Sequence, residues 1–412
     1  MLVHLKLSRG EEVEAIHEFE ELVRSADMER LVLIGGRRDA PHPRWFVGEG
    51  KLAEIKAAVA GHAAEIVVFD HELSPSQQRN VEKELGVRAL TRTELILLIF
   101  AQRARTHEGK LQVELAQLKH AQTRLVRGWT HLDRQKGGVN MRGAGETQIE
   151  LDQRMLAERV RVIGRRLDAV RKRRIDARRK RHRAAVSTVA LVGYTNAGKS
   201  TLFNRLTDAD VFAKNLLFAT LDPTLRKLRV SGQNDVVLAD TVGFIRSLPV
   251  SLVAAFKATL EEVTAADLLL HVIDASARDV DEQVSEVRRV LDDIGAGDRP
   301  VLDVMNKLDV IGGEPRLDRN ADGVPERVWL SAANGRGVDL LEAAIAERIG
   351  GRVNEVRVLL APEAGKTRSW LYRLGAVVAE QMREDGRFEL TINIDDDVEK
   401  RLVREPGVSL QG

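Results

Sequence analysis

The stretch "STVALVGYTNAGKSTLFNRL" limits the fold more than any other part of this chain. A β-rich apolar strand, Val189–Val192, runs into Gly193-x-x-x-x-Gly198-Lys199-Ser200, and a helical pattern follows. Strand, glycine loop and helix in that order are the context that a phosphate loop requires. The glycines let the backbone wrap a β-phosphate and aim N–H groups at it. Lys199 can reach β- and γ-oxygens, and the Ser200 hydroxyl can ligate Mg²⁺.

Three further motifs follow at the ends of apolar strands. "DVVLADTVG" closes on Asp-x-x-Gly: Asp240 can hold a metal-bound water, and the Gly243 amide can meet a γ-phosphate. "PVLDVMNKLD" closes on Asn-Lys-x-Asp, Asn306–Asp309. The aspartate can accept from both N–H edges of guanine, and adenine offers no matching donor pair. Asn306 can meet the opposite edge, and the Lys307 stem can cover the base. "VWLSAAN" supplies Ser331 and Ala332, where a backbone N–H can meet guanine O6. Singly, Asp-x-x-Gly and Ser-Ala are weak signals. Four motifs in order leave little room for ordinary strands ending in polar turns. The expectation is a doubly wound α/β GTPase domain over residues 184–352, with its ligand at the strands' carboxyl ends.

Between the first two motifs lies "FATLDPT", Phe218–Thr224. A switch loop here needs a threonine to complete the Mg²⁺ shell, and Thr220 and Thr224 both qualify. Phe244 stands where many GTPases place a water-orienting glutamine. Slow intrinsic hydrolysis, completed by a partner or a cation, is therefore expected. For Arg246, a surface role is favoured over internal charge stabilisation.

The chain has 412 residues, enough for two to four domains at ~150 residues each. It has no cysteine, which excludes disulfides, thiolate catalysis and Cys-based zinc sites. The start lacks the apolar core of a signal peptide. The longest apolar runs, such as Leu95–Phe100, fall far short of the ~20 residues that span a bilayer. No transmembrane segment and a cytoplasmic location are expected.

The net charge of +2 hides an asymmetry: residues 101–185 carry 23 Lys and Arg against 9 Asp and Glu. A polyanionic partner, most often nucleic acid, fits such a segment. Within it, Leu111, Leu115, Leu118, Gln122 and Leu125 follow heptad-like steps, as do Leu156, Val160, Ile163, Leu167 and Val170. Two seams around a glycine-rich loop predict an antiparallel helical hairpin over residues 106–183, with tip loop 131–148. Thr147 and Glu150 have a capping-box pattern at the start of the second helix.

Residues 1–105 read as a small α/β subdomain, with strands at Arg30–Gly36 and Glu65–Asp70. Ser74 is its expected helix N-cap, with Pro75 at the first helical position. "GEGK", Gly48–Lys51, lacks phosphate-loop spacing and reads as a turn opening a helix. Residues 353–412 read as a small α+β domain in the order strand, helix, strand, helix, and "EAGKTRSW" there reads as packing.

The chain resembles the HflX family of ribosome-associated GTPases, over nearly its whole length. The resemblance rests on "GYTNAGKSTLFNRL", "FATLDPT", "DTVGFIRSLP", "NKLD" and above all "RQKGGVNMRGAGETQIE". It implies GTP and GDP as ligands, hydrolysis of GTP, and the large (50S) ribosomal subunit with its 23S rRNA as partner. It implies a monomer that splits stalled or idle 70S ribosomes, with large-subunit assembly or repair, or RNA remodelling, as the alternatives. It selects Thr220 as switch ligand beside Ser200, and Lys199, Thr220 and Gly243 as the catalytic set. The implied nucleotide contacts include Gly193, Tyr194, Thr195, Asn196, Ala197, Gly198 and Thr201 of the loop. They continue with Phe218, Ala219, Leu221 and Asp222 of the switch, and Asp240, Thr241 and Val242. Asn306, Lys307, Leu308, Asp309, Ser331, Ala332 and Ala333 surround the base. Asn196 resembles an asparagine that helps related GTPases bind K⁺; a loop-stabilising hydrogen bond is the equal alternative. Arg134, Lys136 and Arg142 are the implied RNA contacts. Ala144 departs from the proline that relatives carry in the tip.

Overall fold

The computed structural model describes residues 1–6, 13–28, 31–128, 144–183, 186–207, 217–218, 220–222, 224–228, 236–246, 260–350, 354–383, 385–394, 396–403 and 405–411. Arg134, Lys136, Arg142, most of the expected tip loop and Ala219 lie outside the described residues.

The first sheet is parallel and has four strands: β1 (Leu2–Lys6), β2 (Leu33–Arg37), β3 (Ile66–Phe69) and β4 (Arg88–Thr91), in the order β2-β1-β3-β4. Successive strand residues face opposite sides. Leu2, Val68 and Leu90 pack with helices α1 (Val13–Ser25) and α4 (Arg92–Arg103). Val3, Val67 and Ala89 pack with α2 (Glu49–His62) and α3 (Pro75–Leu85). β1 and β4 were not expected from sequence. Ser74 caps α3 in a reciprocal capping box with Gln77, with Pro75 in the first turn. Gly48 precedes α2, and Lys51 donates to the Gly35 carbonyl oxygen at 2.9 Å, as a helix-opening turn would have it.

The apolar run Leu95–Phe100 lies in α4. Leu95, Ile96, Leu97, Ile99 and Phe100 are all buried, in one core with Phe218, Val242 and Ile245. A helix covered on more than one side is apolar on more than one side.

Helices α5 (His107–Gly128) and α6 (Ala144–Arg183) pack side by side. Glu108 pairs with Arg174 at 2.7 Å and Glu114 with Arg159 at 2.6 Å, so the two run antiparallel. Ile163 is fully buried, but most of the expected seam is half-buried, because two helices cover each other on one side only. One expectation needs correction: α6 starts at Ala144, so Thr147 lies inside the helix and is not its N-cap. Alanine, the best helix former, lets the helix begin one turn earlier.

The second sheet has seven strands in the order β10-β11-β9-β8-β5-β7-β6. They are β5 (Ser187–Val192), β6 (Thr224–Leu228), β7 (Val236–Asp240), β8 (Leu268–Asp274), β9 (Val301–Asn306), β10 (Arg316–Arg319) and β11 (Pro325–Trp329). β6 and β10 run antiparallel to their neighbours at the two edges, and the inner strands are parallel. The inner strands are near-continuous apolar runs, as burial on both faces demands. β5 is flanked by β7 and β8, so the chain reverses its direction of travel across the sheet there. A crevice opens at such a switch point.

The last sheet is antiparallel, in the order β13-β14-β12-β15, with β12 (Asn354–Leu360), β13 (Val377–Met382), β14 (Phe388–Ile394) and β15 (Val408–Gln411). Helices Gly365–Arg373 and Asp396–Leu402 join its strands. The expected strand, helix, strand, helix order lacks β14 and β15. Between β13 and β14 the Arg383 N–H donates to the Arg387 carbonyl oxygen at 2.9 Å and the Gly386 N–H to that of Arg383 at 3.0 Å, a close link that a sequence rich in charge does not announce.

Candidate functional site

A cleft of about 320 Å³ opens at the carboxyl ends of β5, β7 and β9. Its floor is the glycine loop and the start of helix α7 (Lys199–Thr207). Gly193 has φ +145°, and a Cβ there would lie 2.2 Å from the Val272 carbonyl oxygen. Gly198 has φ +96°, and its Cβ would lie 2.2 Å from Asn306 Nδ2. Only glycine fits either position.

The Lys199 ammonium is buried and donates to the carbonyl oxygens of Gly193 at 3.0 Å and Tyr194 at 2.6 Å. Burial pulls it down to about 8, against the opposing field of the Asp240 carboxylate. The same burial pushes the Asp240 carboxyl up, while Lys199 and the Thr220 and Ser200 hydroxyls work in the other direction.

Three oxygens converge beside the loop. Ser200 Oγ lies 2.8 Å from Thr220 Oγ1, and both hydroxyls donate to Asp240 Oδ2 at 2.9 Å. Asp240 Oδ1 is buried without a hydrogen-bond partner among the described residues. An all-oxygen set with a spare buried carboxylate oxygen fits a hard divalent cation such as Mg²⁺. Groups of three or more His, Cys, Asp or Glu suited to a metal are absent among the described residues. Of the two candidate threonines, the structure brings Thr220 to Ser200. Thr224 opens β6, in register with Asp240 across the strand pair.

The base side of the cleft holds Asp309, Lys307, Ala332 and Ala333. Ser331 Oγ donates to Asp309 Oδ1 at 2.5 Å. Lys307 adopts φ +66°, and its ammonium donates to Asp274 Oδ2 at 2.7 Å, which stretches the stem along the cleft. Two groups of this side are engaged by the protein itself. One Asn306 Nδ2 hydrogen bond goes to the Ala197 carbonyl oxygen at 2.8 Å, and Oδ1 accepts from the Ala332 N–H at 2.9 Å. Asn306 ties the phosphate loop to the Ser331–Ala333 loop, because a buried amide must satisfy both ends. The Ala332 N–H is thereby engaged, and the Ser331 N–H donates to the Arg336 carbonyl oxygen at 2.9 Å.

Other expected contacts point elsewhere. The Tyr194 hydroxyl bonds Glu18 of α1 and accepts from the Arg246 N–H at 2.7 Å, away from the phosphate loop's concave face. Burial and the Glu18 carboxylate push that phenol upward. Leu221 and Val242 are buried in the core shared with α4, and Leu308 is buried beneath the base loop. The Asp222 carboxylate faces α5, where it accepts from the Arg105 and Thr106 N–H groups at 2.9 Å. Tyr194, Leu221, Asp222 and Val242 thus serve the seam between the first and second sheets. Phe218 stays on the cleft wall with φ +56°, edge-on to Phe100 at 4.7 Å between centroids. Gly243, Thr195, Asn196, Thr201 and Thr241 also line the cleft.

Phe244 is 1% exposed, in a core with Ala190, Val192 and Leu260. Arg246 pairs with Asp279 and Glu282, both at 2.7 Å, with its side chain only 18% exposed. Glu18 and Arg92 were missed at the sequence level. Arg92 bonds Glu18, Asp70 and the Arg246 carbonyl oxygen across the seam. Burial raises the Glu18 carboxyl, with Arg92 the chief opposing charge. Nothing in α1's sequence separates Glu18 from the solvated glutamates beside it.

Comparison with known proteins gives four successive matches to family models. "GTP-binding GTPase N-terminal" covers residues 13–101 and "GTP-binding GTPase Middle Region" covers 103–181. "50S ribosome-binding GTPase" covers 188–307 and "HflX C-terminal domain" covers 316–411. The chain is 55% identical to GTPase HflX of Escherichia coli (strain K12) over 96% of this chain and 93% of that one. It is 42% identical to GTPase HflX of Caldanaerobacter subterraneus subsp. tengcongensis, over 94% and 90%. A GTP-binding protein from Sulfolobus solfataricus, solved with GDP, aligns at 23% identity and TM-score 0.45, over 84% of this chain and 98% of that one.

Proposed function

The chain belongs to the HflX family of GTPases, GTP-hydrolysing P-loop enzymes, and from that premise we propose that it splits stalled or idle 70S ribosomes into subunits. GTP would bring it to the large subunit and 23S rRNA, and hydrolysis to GDP and phosphate would release it. The antiparallel pair α5–α6 would form a basic hairpin, held by phosphate contacts whose affinity falls with salt. Arg134, Lys136 and Arg142 at its tip would touch RNA. Residues 1–105, 106–183, 184–352 and 353–412 would act as four units.

In the cleft, Lys199 would exchange its two carbonyl partners for β- and γ-oxygens. Ser200 and Thr220 would hold Mg²⁺ directly and Asp240 through a water; the ion would screen phosphate charge as the γ-bond breaks. The Gly243 N–H would meet the γ-phosphate, Asp309 would read guanine, and Asn196 would help hold K⁺.

The observation that carries this reading is the linkage of the switch loop to the helical pair. Thr220 meets Ser200 and Asp240, while Asp222, two residues on, holds the start of α5. A switch loop ordered by a γ-phosphate would thus set the stance of the hairpin.

The test is sedimentation of purified 70S ribosomes with the protein and GTP or a non-hydrolysable analogue, beside a variant lacking Gly137–Gly145. Splitting by the wild type but not the deletion supports the reading. Equal splitting by both removes the tip from the mechanism. Binding without splitting by either moves the protein to large-subunit assembly or repair.

A further inference from the structure

With phenylalanine in place of the glutamine, some other group must orient the attacking water, and the backbone of Phe244 shows where to look. Its N–H donates to the Gly193 carbonyl oxygen at 3.1 Å, and its carbonyl oxygen accepts from the Thr195 N–H at 2.7 Å. The Phe244 ring turns into the core. The side chain left beside this position is that of Thr195.

Thr195 is 6% exposed and lines the cleft. A Cβ built on Gly243 would lie 2.8 Å from Thr195 Cγ2 and 2.9 Å from Lys199 Nζ. Thr195 therefore packs directly against the glycine whose amide meets a γ-phosphate. Its Oγ1 is buried and lacks a hydrogen-bond partner among the described residues. A buried hydroxyl without a partner is uncommon and calls for an explanation. The neighbouring hydroxyls are committed. Thr241 Oγ1 donates to the Leu191 carbonyl oxygen at 2.5 Å, and Ser200, Thr220 and Asp240 bond one another. One rotamer step about χ1 exchanges the Thr195 methyl beside Gly243 for the hydroxyl.

We propose that the Thr195 hydroxyl orients the attacking water for GTP hydrolysis, in place of the missing glutamine. Thr195 Oγ1 accepts a hydrogen bond from the water and donates its own O–H to a γ-phosphoryl oxygen. The water oxygen forms a bond to the γ-phosphorus as the bond from that phosphorus to the β–γ bridging oxygen breaks. The electron pair leaves with GDP, and the water's protons go to inorganic phosphate and solvent. Thr195 is neither protonated nor deprotonated in the step.

The test uses the full-length protein and two substitutions, Thr195→Val, which keeps the shape, and Thr195→Ser, which keeps the hydroxyl. Single-turnover hydrolysis should fall by about 30- to 300-fold in the valine variant, the scale of losing one group that is aligned only in the transition state. The serine variant should stay within about fivefold of wild type. GDP affinity should change by less than about twofold in both. The added affinity for GDP with aluminium fluoride, a mimic of the transferring phosphoryl group, should be lost in the valine variant and kept in the serine one. Wild-type hydrolysis by the valine variant overturns the proposal. So does a serine variant as slow as valine, or equal loss of GDP and GDP–aluminium fluoride binding, which would mark a structural role.

Discussion

Asp222 sits over the first turn of α5: its Oδ2 accepts from the Thr106 N–H at 2.9 Å and its Oδ1 from the Thr106 hydroxyl at 2.6 Å. Thr106 is itself the cap of that helix, accepting from the Gly109 N–H at 2.9 Å. The switch loop therefore holds the residue that holds the helix. A carboxylate at a helix N-terminus is also favoured by the helix dipole.

Asp222→Ala should cost about 1–2 kcal/mol, the range of a lost helix cap. Thermal unfolding checks the size. Hydrogen exchange over residues 105–110 should rise, and its difference between GTP-analogue and GDP states should shrink. Gly109→Ala should act alike, because its Cβ would lie 2.0 Å from Asp222 Oδ1. Unchanged exchange in both variants would mean that the switch loop and α5 are not coupled.

Gly243→Ala would place a methyl 2.9 Å from both Lys199 Nζ and Thr195 Cα. One neighbour is backbone, so the clash cannot be relieved by a side-chain rotation alone. Hydrolysis should drop by about 100-fold or more, with a smaller loss of GDP affinity. Pre-steady-state phosphate release beside equilibrium GDP binding separates the two.

Asp309→Ala should weaken GTP binding by about 100-fold or more, since a site built to pair N–H groups discriminates through them. Inosine triphosphate, which lacks the exocyclic amine, should lose less than GTP. Competition binding checks this, and an equal loss for both would remove the carboxylate from base reading.

Acidification should weaken the first sheet through His71. Burial lowers its folded-state pKa below the usual 6.5, against Asp70 and with the help of His4 and Arg92. A lowered histidine binds fewer protons folded than unfolded, so its stabilising effect is present above pH 6.5 and is lost from there down as pH falls through the lower folded-state pKa. Glu18 shifts upward and acts in the opposite sense, so the informative comparison is with a variant. Between pH 7.5 and 5.5, wild type should lose more thermal stability than His71→Gln. Parallel curves would assign the acid sensitivity to another group.

The nucleotide cleft was legible in the sequence because each motif is short and sits at the end of one strand. Gly193–Ser200 carries its own loop geometry, and Asp240 and Asp309 need only a parallel sheet to bring them together. The heptad steps of α5 and α6 were legible too, since a helix repeats its pattern over many turns. The motif does not give the loop partners of the Asn306 amide. Ala197 and Ala332, which it ties together, lie 109 and 26 residues away.

Sequence by itself determined the chemistry on offer: a phosphate-loop motif, oxygens suited to a hard cation, a carboxylate able to pair N–H groups and a phenylalanine where a glutamine is usual. Tertiary structure alone decided which of these groups meet. It chose Thr220 over Thr224, turned Tyr194 and Asp222 toward the first sheet and its helices, and left the Thr195 hydroxyl buried beside Gly243. The reason is physical. Local patterns encode the period and the turn of a segment, whereas the partner of a buried polar group is set by whichever distant segment excludes water from it.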